Sequence, residues 1–154
     1  MMPTSIQDSG SRRQRDNTTG EVGHNGAGSR SVTLKKILIV DDSLAEVRLL
    51  QAVLQEAGYW PVAIHDPTQI EKVVDIERPA LILLDVVMPQ RNGYQACREL
   101  KADPNYSGIP IVLVTSKDGS SDRLWGQMQG ADGYVVKPFT REQLLIEIRR
   151  FVQA

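Results

Sequence analysis

Five short apolar runs divide the chain from residue 36 onward, and four of them pass directly into a polar residue suited to phosphate chemistry. These four are residues 36–40 before Asp41, residues 81–84 before Asp85, residues 111–114 before Thr115, and residues 134–136 before Lys137. A weaker run covers residues 62–64. Apolar runs of this length are typical of strands that are buried on both faces of a parallel sheet.

Amphipathic stretches alternate with these runs and begin with helix-start signals. Ser43 and Thr140 each open a capping-box pattern, and Asp66 caps a stretch whose first residue is Pro67. Apolar residues at helical spacing follow each signal. The predicted helices begin near residues 43, 66, 93, 120 and 140.

The fourth predicted helix spans about residues 120–129, and its apolar residues predict how it is oriented. Leu124 and Met128 lie one turn apart, so we expect them to face the core. Trp125 then lies at the edge of this stripe, where it either completes the rim of the core or contacts a partner.

Five strand–helix units in about 120 residues predict an α/β fold, a five-stranded parallel sheet flanked by helices in a three-layer sandwich. Parallel neighbours require right-handed crossovers, so the helices divide between the two faces of the sheet. Residues 1–33 are rich in Ser, Gly, Asn, Thr and Arg and contain almost no apolar residues. We therefore expect a disordered tail over residues 1–33 and one folded domain over residues 34–154.

The composition excludes few functions. A formal net charge of −1 gives no reason to expect direct nucleic-acid binding, and no apolar run approaches the roughly 20 residues of a membrane span. Cys97 is the single cysteine and cannot form an internal disulfide, which fits a reducing compartment. The N-terminal residues lack an apolar leader, so we expect a cytoplasmic protein.

The polar residues after the strands together indicate a chemistry. Because the carboxyl ends of parallel strands meet at one edge of a sheet, we expect Asp41, Asp42 and Asp85 on adjacent strands about 5 Å apart. Unpaired, these carboxylates would repel one another, and Mg²⁺, which prefers hard oxygen ligands, would relieve the repulsion. Lys137 and Thr115 are suited to contact a phosphoryl group. These are the parts required for phosphoryl transfer onto an aspartate.

These residues and their neighbours resemble the signature of the response-regulator receiver family. The resemblance covers residues 35–154 and rests on Asp41-Asp42, Asp85 with Met88-Pro89 and Gly93, Thr115-Ser116, and Lys137-Pro138-Phe139. It implies a flavodoxin-like, CheY-like fold with the strand order 2-1-3-4-5. Parts of residues 115–131 are also similar to the PilH-type regulators of pilus-driven motility.

The resemblance assigns a role to each residue of the site. Asp85 is the implied phosphoacceptor. Asp42 and Asp85 bind Mg²⁺ directly, together with the backbone carbonyl of Val87, and Asp41 holds the metal through water. Lys137 contacts the phosphoryl group.

The resemblance also implies a switch that carries the signal outward. On phosphorylation Thr115 moves toward the phosphoryl oxygens, which it contacts, and Tyr134 shifts inward behind it. Pro138 follows Lys137 in a turn and is expected to have a cis peptide bond. Output then comes from the face made by the fourth helix, fifth strand and fifth helix, where Trp125 is a candidate contact residue.

The implied function is that of a single-domain response regulator in a two-component phosphorelay. A sensor histidine kinase or phosphotransfer protein supplies the phosphoryl group, and a downstream protein responds, in motility or chemotaxis-like control. The domain takes part only in its own Mg²⁺-dependent phosphorylation and dephosphorylation, so we do not expect an enzyme that acts on a separate substrate. The sequence ends at Ala154, directly after the last predicted helix, so we expect no separate output domain.

Three other classes share parts of this pattern. A haloacid-dehalogenase-type phosphatase needs a second acid two residues after its nucleophile, where this chain has Val87. A flavodoxin-type FMN site needs a hydroxyl- or glycine-rich loop after the first strand, where Asp41 and Asp42 would repel a phosphate. The third class is a pseudo-receiver that binds partners without phosphorylation, and the complete set of five signature residues argues against it.

Val87 leads to a prediction about the lifetime of the phosphorylated state. The resemblance implies that Val87 and Lys117 flank the path by which water reaches the acyl phosphate, and an apolar Val87 cannot orient a water by hydrogen bonding. We therefore expect slower autodephosphorylation than in receivers that have a polar residue at this position. The purified domain can be loaded with a small phosphodonor and its decay timed; loss within seconds would contradict the prediction.

Overall fold

The computed structural model describes residues 33–154, so the expected disorder of residues 1–33 lies, Thr33 apart, outside the described residues. The five strands are β1 (Lys36–Val40), β2 (Trp60–Ile64), β3 (Leu81–Leu84), β4 (Ile111–Thr115) and β5 (Gly133–Val136). The helices that follow them are α1 (Leu44–Glu56), α2 (Ile70–Glu77), α3 (Gly93–Ala102), α4 (Ser120–Met128) and α5 (Arg141–Arg149). None of these helices has both the length and the apolarity that a membrane span requires.

All five strands are parallel and lie in the order β2-β1-β3-β4-β5, which confirms the predicted α/β sandwich and its strand order. Val40 pairs with Leu84 across β1 and β3. The residues after this pair therefore leave the sheet side by side, and the amide of Asp85 still donates to the carbonyl of Val40 at 3.0 Å.

Apolar side chains cover both faces of the sheet. On one face, Leu54 of α1 and Leu144 of α5 belong to a buried cluster that includes Ile39 of β1. On the other face, Val74 of α2 and Leu100 of α3 belong to a second buried cluster. The central strands are therefore buried on both sides, as their uninterrupted apolar runs predict.

The residues predicted to cap helices form capping hydrogen bonds in the structure. Ser43 Oγ accepts from the amide of Glu46 at 3.4 Å. Thr140 and Gln143 form a reciprocal capping box with bonds of 2.9 and 3.0 Å. Asp66 caps a 3-10 turn, residues 67–69, that leads into α2, so the second helix starts slightly later than the pattern predicts.

The orientation predicted for helix α4 is wrong. Leu124 and Met128, which we expect to face the core, are 57% and 65% exposed, and Trp125 is 48% exposed. The sheet side of α4 is occupied by Gly126, where an added Cβ would lie 2.9 Å from the Leu113 side chain. The helix lies too close to the sheet for a large side chain at this point, so its apolar residues face solvent.

Candidate functional site

Three carboxylates meet at the C-terminal edge of the sheet. Asp41 and Asp42 follow β1, and Asp85 follows the neighbouring strand β3. One oxygen of each lies within 4.8 Å of the others. Asp41 and Asp85 are 1% and 9% exposed, whereas Asp42 is exposed. The structure therefore brings the predicted acidic cluster together and buries two of its members.

Lys137 brings an ammonium group into this cluster from the loop after β5. Its Nζ lies 2.8 Å from Asp41 Oδ2 and 3.7 Å from Asp85 Oδ2. Its amide donates to the carbonyl of Thr115, and the Lys137–Pro138 peptide bond is cis. Burial alone would lower the pKa of Lys137. The hydrogen bond to Asp41 and the charges of both carboxylates outweigh burial and raise this pKa, so the side chain stays protonated.

Asp85 lies in an environment that favours its protonated form. Burial raises the pKa of Asp85, the charge of Lys137 lowers it, and the charge of Asp41 raises it again, with a net increase. The amide of Val86 donates to Asp85 Oδ1 at 2.7 Å and orients the carboxylate. The negative charge of Asp85 is therefore unfavourable in this site, and binding a cation or reacting with an electrophile would neutralise it.

The donor set of the cluster fits a hard divalent cation. Within residues 33–154, the three clustered carboxylates and one ammonium leave two formal negative charges in a mostly buried space. Both oxygens of Asp41 are already engaged, Oδ1 with the amide of Ser43 at 2.9 Å and Oδ2 with Lys137. Asp42 and Asp85 are therefore better placed than Asp41 to bind a cation directly, and Mg²⁺ is suited to one or two carboxylates and several waters.

The two residues that the resemblance assigns to a switch meet at the backbone of Lys117. Thr115 is fully buried, and its Oγ1 accepts from the amide of Lys117 at 3.3 Å. The Tyr134 hydroxyl donates to the carbonyl of Lys117 at 2.7 Å. The guanidinium of Arg123 lies 5.2 Å from the centre of the Tyr134 ring. If the Thr115 hydroxyl changes its partner, the backbone of Lys117 loses one contact, and Tyr134 holds the same residue.

The start of helix α3 is packed directly against the backbone of Asp85. The amide of Gly93 donates to the carbonyl of Val86 at 2.8 Å. A Cβ at Gly93 would overlap the carbonyl oxygen of Asp85 and lie 2.8 Å from Cα of Val86. Only glycine allows this close approach, so Gly93 couples the position of α3 to that of the acidic cluster.

Arg91 holds the loop between Asp85 and α3 to the helices beside it. Its guanidinium contacts both oxygens of Glu71 on α2, at 2.9 and 2.6 Å, and Glu99 on α3 at 2.9 Å. It also donates to the carbonyl of Pro67 at 2.9 Å. The preceding Gln90 has a φ of 72°, a left-handed conformation that disfavours side chains and needs such support.

The acidic cluster opens into a crevice of about 460 Å³ between α1 and the loop after β5. Glu46, Leu49 and Phe139 contribute to its walls. The capping pattern did not reveal Glu46 as a site residue, although its charge contributes to raising the pKa of Lys137. The position of Glu46 in the sequence could have identified it as a site residue. It lies one helical turn after Asp42, which returns its side chain toward the end of β1.

Comparison with known protein families identifies the class that the fold and the acidic cluster define. The family model described as the response regulator receiver domain matches residues 37–149. The chain therefore belongs to the response-regulator receiver-domain family.

Individual relatives agree with this assignment. Protein PilH of Pseudomonas aeruginosa is 40% identical over 112 residues, which cover 73% of this chain and 93% of PilH. The structure of the chemotaxis protein CheY4 of Vibrio cholerae is 29% identical with a TM-score of 0.72, covering 78% of this chain and 100% of CheY4. The receiver domain of the sensor histidine kinase PA1611 of P. aeruginosa is 29% identical with a TM-score of 0.71, over 77% of this chain and 98% of that domain, and has a magnesium ion coordinated in its active site cleft.

Replacing Gly93 with alanine tests the direct contact between α3 and Asp85. The added methyl group must displace backbone atoms, so we expect the free energy of unfolding to fall by at least ~2 kcal/mol in urea denaturation. Gly108→Ala is the matched control, because an added Cβ there meets nothing within 4 Å, and we expect a change below ~0.5 kcal/mol. Equal effects of the two substitutions would show that the close approach at Gly93 is absent in solution.

The raised pKa of Asp85 predicts how stability depends on pH in metal-free buffer. The folded state binds this proton more tightly than the unfolded state, so the stability it contributes is present below the unfolded pKa and is lost as pH rises through the folded pKa. Asp85→Asn removes the charge, so we expect the variant to be more stable than the wild type at neutral pH. The difference should shrink as pH falls toward about 4. Urea unfolding of both proteins in EDTA measures it, and a variant that is less stable at neutral pH contradicts the prediction.

Proposed function

We propose that this chain is a phosphoacceptor in a two-component phosphorelay and that Asp85 carries the phosphoryl group. The observation on which the proposal rests is the position of Asp85 Oδ2, 3.7 Å from Lys137 Nζ and within the acidic cluster. Membership of the receiver family and 40% identity to PilH support it. The similarity to PilH favours a role in the control of motility.

The proposed transfer is a nucleophilic substitution at phosphorus. An oxygen of Asp85 attacks the phosphoryl group of a phosphohistidine on a sensor kinase or phosphotransfer protein. The P–N bond breaks, its electron pair returns to the imidazole, and an acyl phosphate forms on Asp85. Lys137 stabilises negative charge on the transferring group, and its raised pKa keeps it protonated throughout. The chain acts on its own acyl phosphate only and is not an enzyme for another substrate.

Mg²⁺ is the metal that we propose for the acidic cluster. Asp42 and Asp85 would bind it directly with the backbone carbonyl of Val87, and Asp41, whose oxygens already accept hydrogen bonds, would act through water. When bound, Mg²⁺ neutralises charge on the carboxylates and on the phosphoryl oxygens. The magnesium ion in the active site cleft of the PA1611 receiver domain supports this choice.

The proposed switch starts at Thr115. An acyl phosphate on Asp85 offers oxygen atoms to the Thr115 hydroxyl, which then leaves the amide of Lys117. Loss of this contact loosens the loop before α4, and Tyr134 shifts inward from the carbonyl of Lys117. Phosphorylation thereby biases a two-state equilibrium through new contacts at the site.

The output surface that we propose is the face formed by α4, β5 and α5. A groove of about 580 Å³ lies on this face, and Leu124, Tyr134 and Arg150 are among the residues that line it. The outward side of α4 adds Trp125 and Met128, which are 48% and 65% exposed. Exposed apolar side chains beside a polar groove are typical of a protein docking surface, so we propose a downstream protein as the partner.

Incubation with acetyl phosphate and Mg²⁺, followed by intact-mass and peptide mass spectrometry, tests the proposal. We expect the wild-type chain to gain the mass of one phosphoryl group on the peptide that contains Asp85, and Asp85→Asn to gain none. Asp75→Asn is the matched control, because Asp75 is an exposed aspartate on α2, and it should be phosphorylated like the wild type. A wild-type chain without added phosphate would instead favour the pseudo-receiver alternative.

A further inference from the structure

Helix α4 is held to the domain without a large buried side chain. Gly126 is its one buried residue, whereas α5 buries Leu144, Leu145 and Ile148. Burial of a Leu or Ile side chain is a major source of free energy that anchors a helix, and α4 lacks that anchor. Its position therefore depends more on individual hydrogen bonds than that of α5 does.

Three contacts from α3 hold the two ends of α4. At the C-terminal end, Cys97 Sγ and the guanidinium of Arg98 reach the carbonyl and the side chain of Gln129, at 3.5 and 3.3 Å. At the N-terminal end, the hydroxyl of Tyr94 donates to the carbonyl of Asp122 at 3.1 Å. Tyr94 is therefore the α3 residue that holds the first turn of α4, next to the loop that carries the switch.

Two tyrosine hydroxyls hold neighbouring parts of this region. Tyr134 donates to the carbonyl of Lys117 before α4, and Tyr94 donates to the carbonyl of Asp122 in its first turn. Tyr94 thus holds the first turn of the helix whose preceding loop is held by Tyr134.

We propose that Tyr94 is a further positioning residue of the switch, and that its hydroxyl holds the first turn of α4 in the unphosphorylated arrangement. The inference rests on the proposed function, because it concerns the same conformational equilibrium. When Thr115 turns toward the phosphoryl group, the loop and the first turn of α4 are released together, and the bond between Tyr94 and Asp122 is lost. A bond that exists in only one of two states biases the equilibrium toward that state.

Tyr94→Phe removes this bond and keeps the ring, which packs against the second buried cluster. One net hydrogen bond in a partly buried setting corresponds to a roughly two- to tenfold change in an equilibrium constant. We therefore expect beryllofluoride, a phosphoryl mimic, to bind Tyr94→Phe about two- to tenfold more tightly than the wild type in the presence of Mg²⁺. If Tyr94 had a merely structural role, its substitution would weaken the binding of beryllofluoride, because damage to the fold weakens binding.

Tyr106→Phe is the matched control. Its hydroxyl donates to Asp75 Oδ1 at 3.0 Å, so this variant also loses one tyrosine hydrogen bond, but to α2 and away from the switch. We expect its affinity for beryllofluoride to equal that of the wild type even if its stability falls. Tighter binding by both variants would show that the effect is not specific to Tyr94 and would overturn the proposal.

Tryptophan fluorescence follows the titration, because Trp125 lies on α4. The other tryptophan, Trp60, begins β2, the edge strand opposite β5. A Trp60→Phe background therefore leaves Trp125 as the reporter. Fluorine NMR of bound beryllofluoride measures occupancy independently. If the Trp60→Phe protein binds beryllofluoride and the added Tyr94→Phe substitution leaves that affinity unchanged or weakens it, the proposed role of Tyr94 is overturned. Failure of that background to bind beryllofluoride at all would instead contradict the proposed function.

Discussion

Repulsion between carboxylates at the end of the sheet is the constraint on which the rest of the structure depends. Asp41 and Asp85 are buried on neighbouring strands, and burial without a compensating charge would be strongly unfavourable. Lys137 supplies that charge from the end of β5 and bonds to Asp41, 96 positions earlier in the chain. One ammonium thereby joins β1 to the far edge of the sheet, and the remaining negative charge makes the site receptive to a cation.

Much of this arrangement could be predicted from the sequence because it depends on short-range patterns. Uninterrupted apolar runs indicate buried parallel strands, and parallel strands place their C-terminal residues at one edge. That rule alone predicts that five site residues lie at this edge: Asp41, Asp42, Asp85, Thr115 and Lys137. The preference of Lys137 for Asp41 over Asp85 could not be predicted, because it depends on the reach and packing of side chains from separate strands.

The errors and omissions concern contacts that local patterns do not specify. Leu124 and Met128 share one side of α4, but helical spacing does not say which side faces the sheet. Gly126 between them is the informative residue, because a helix packs most closely where its side chain is smallest. Arg91 and Tyr94 could not be assigned roles either, since each acts on partners from elements distant in sequence.

The close packing of Gly93 against the Asp85 backbone has a mechanical consequence. Helix α3 is in direct contact with the acidic cluster and also buries Ala96, Cys97 and Leu100, so it forms a stiff unit with the strand that bears Asp85. Helix α4 buries only Gly126 and is the less firmly anchored neighbour. If Asp85 carries the phosphoryl group as proposed, strain created at the cluster relaxes into α4 rather than α3, so the direction of the signal follows from the unequal anchoring of these two helices.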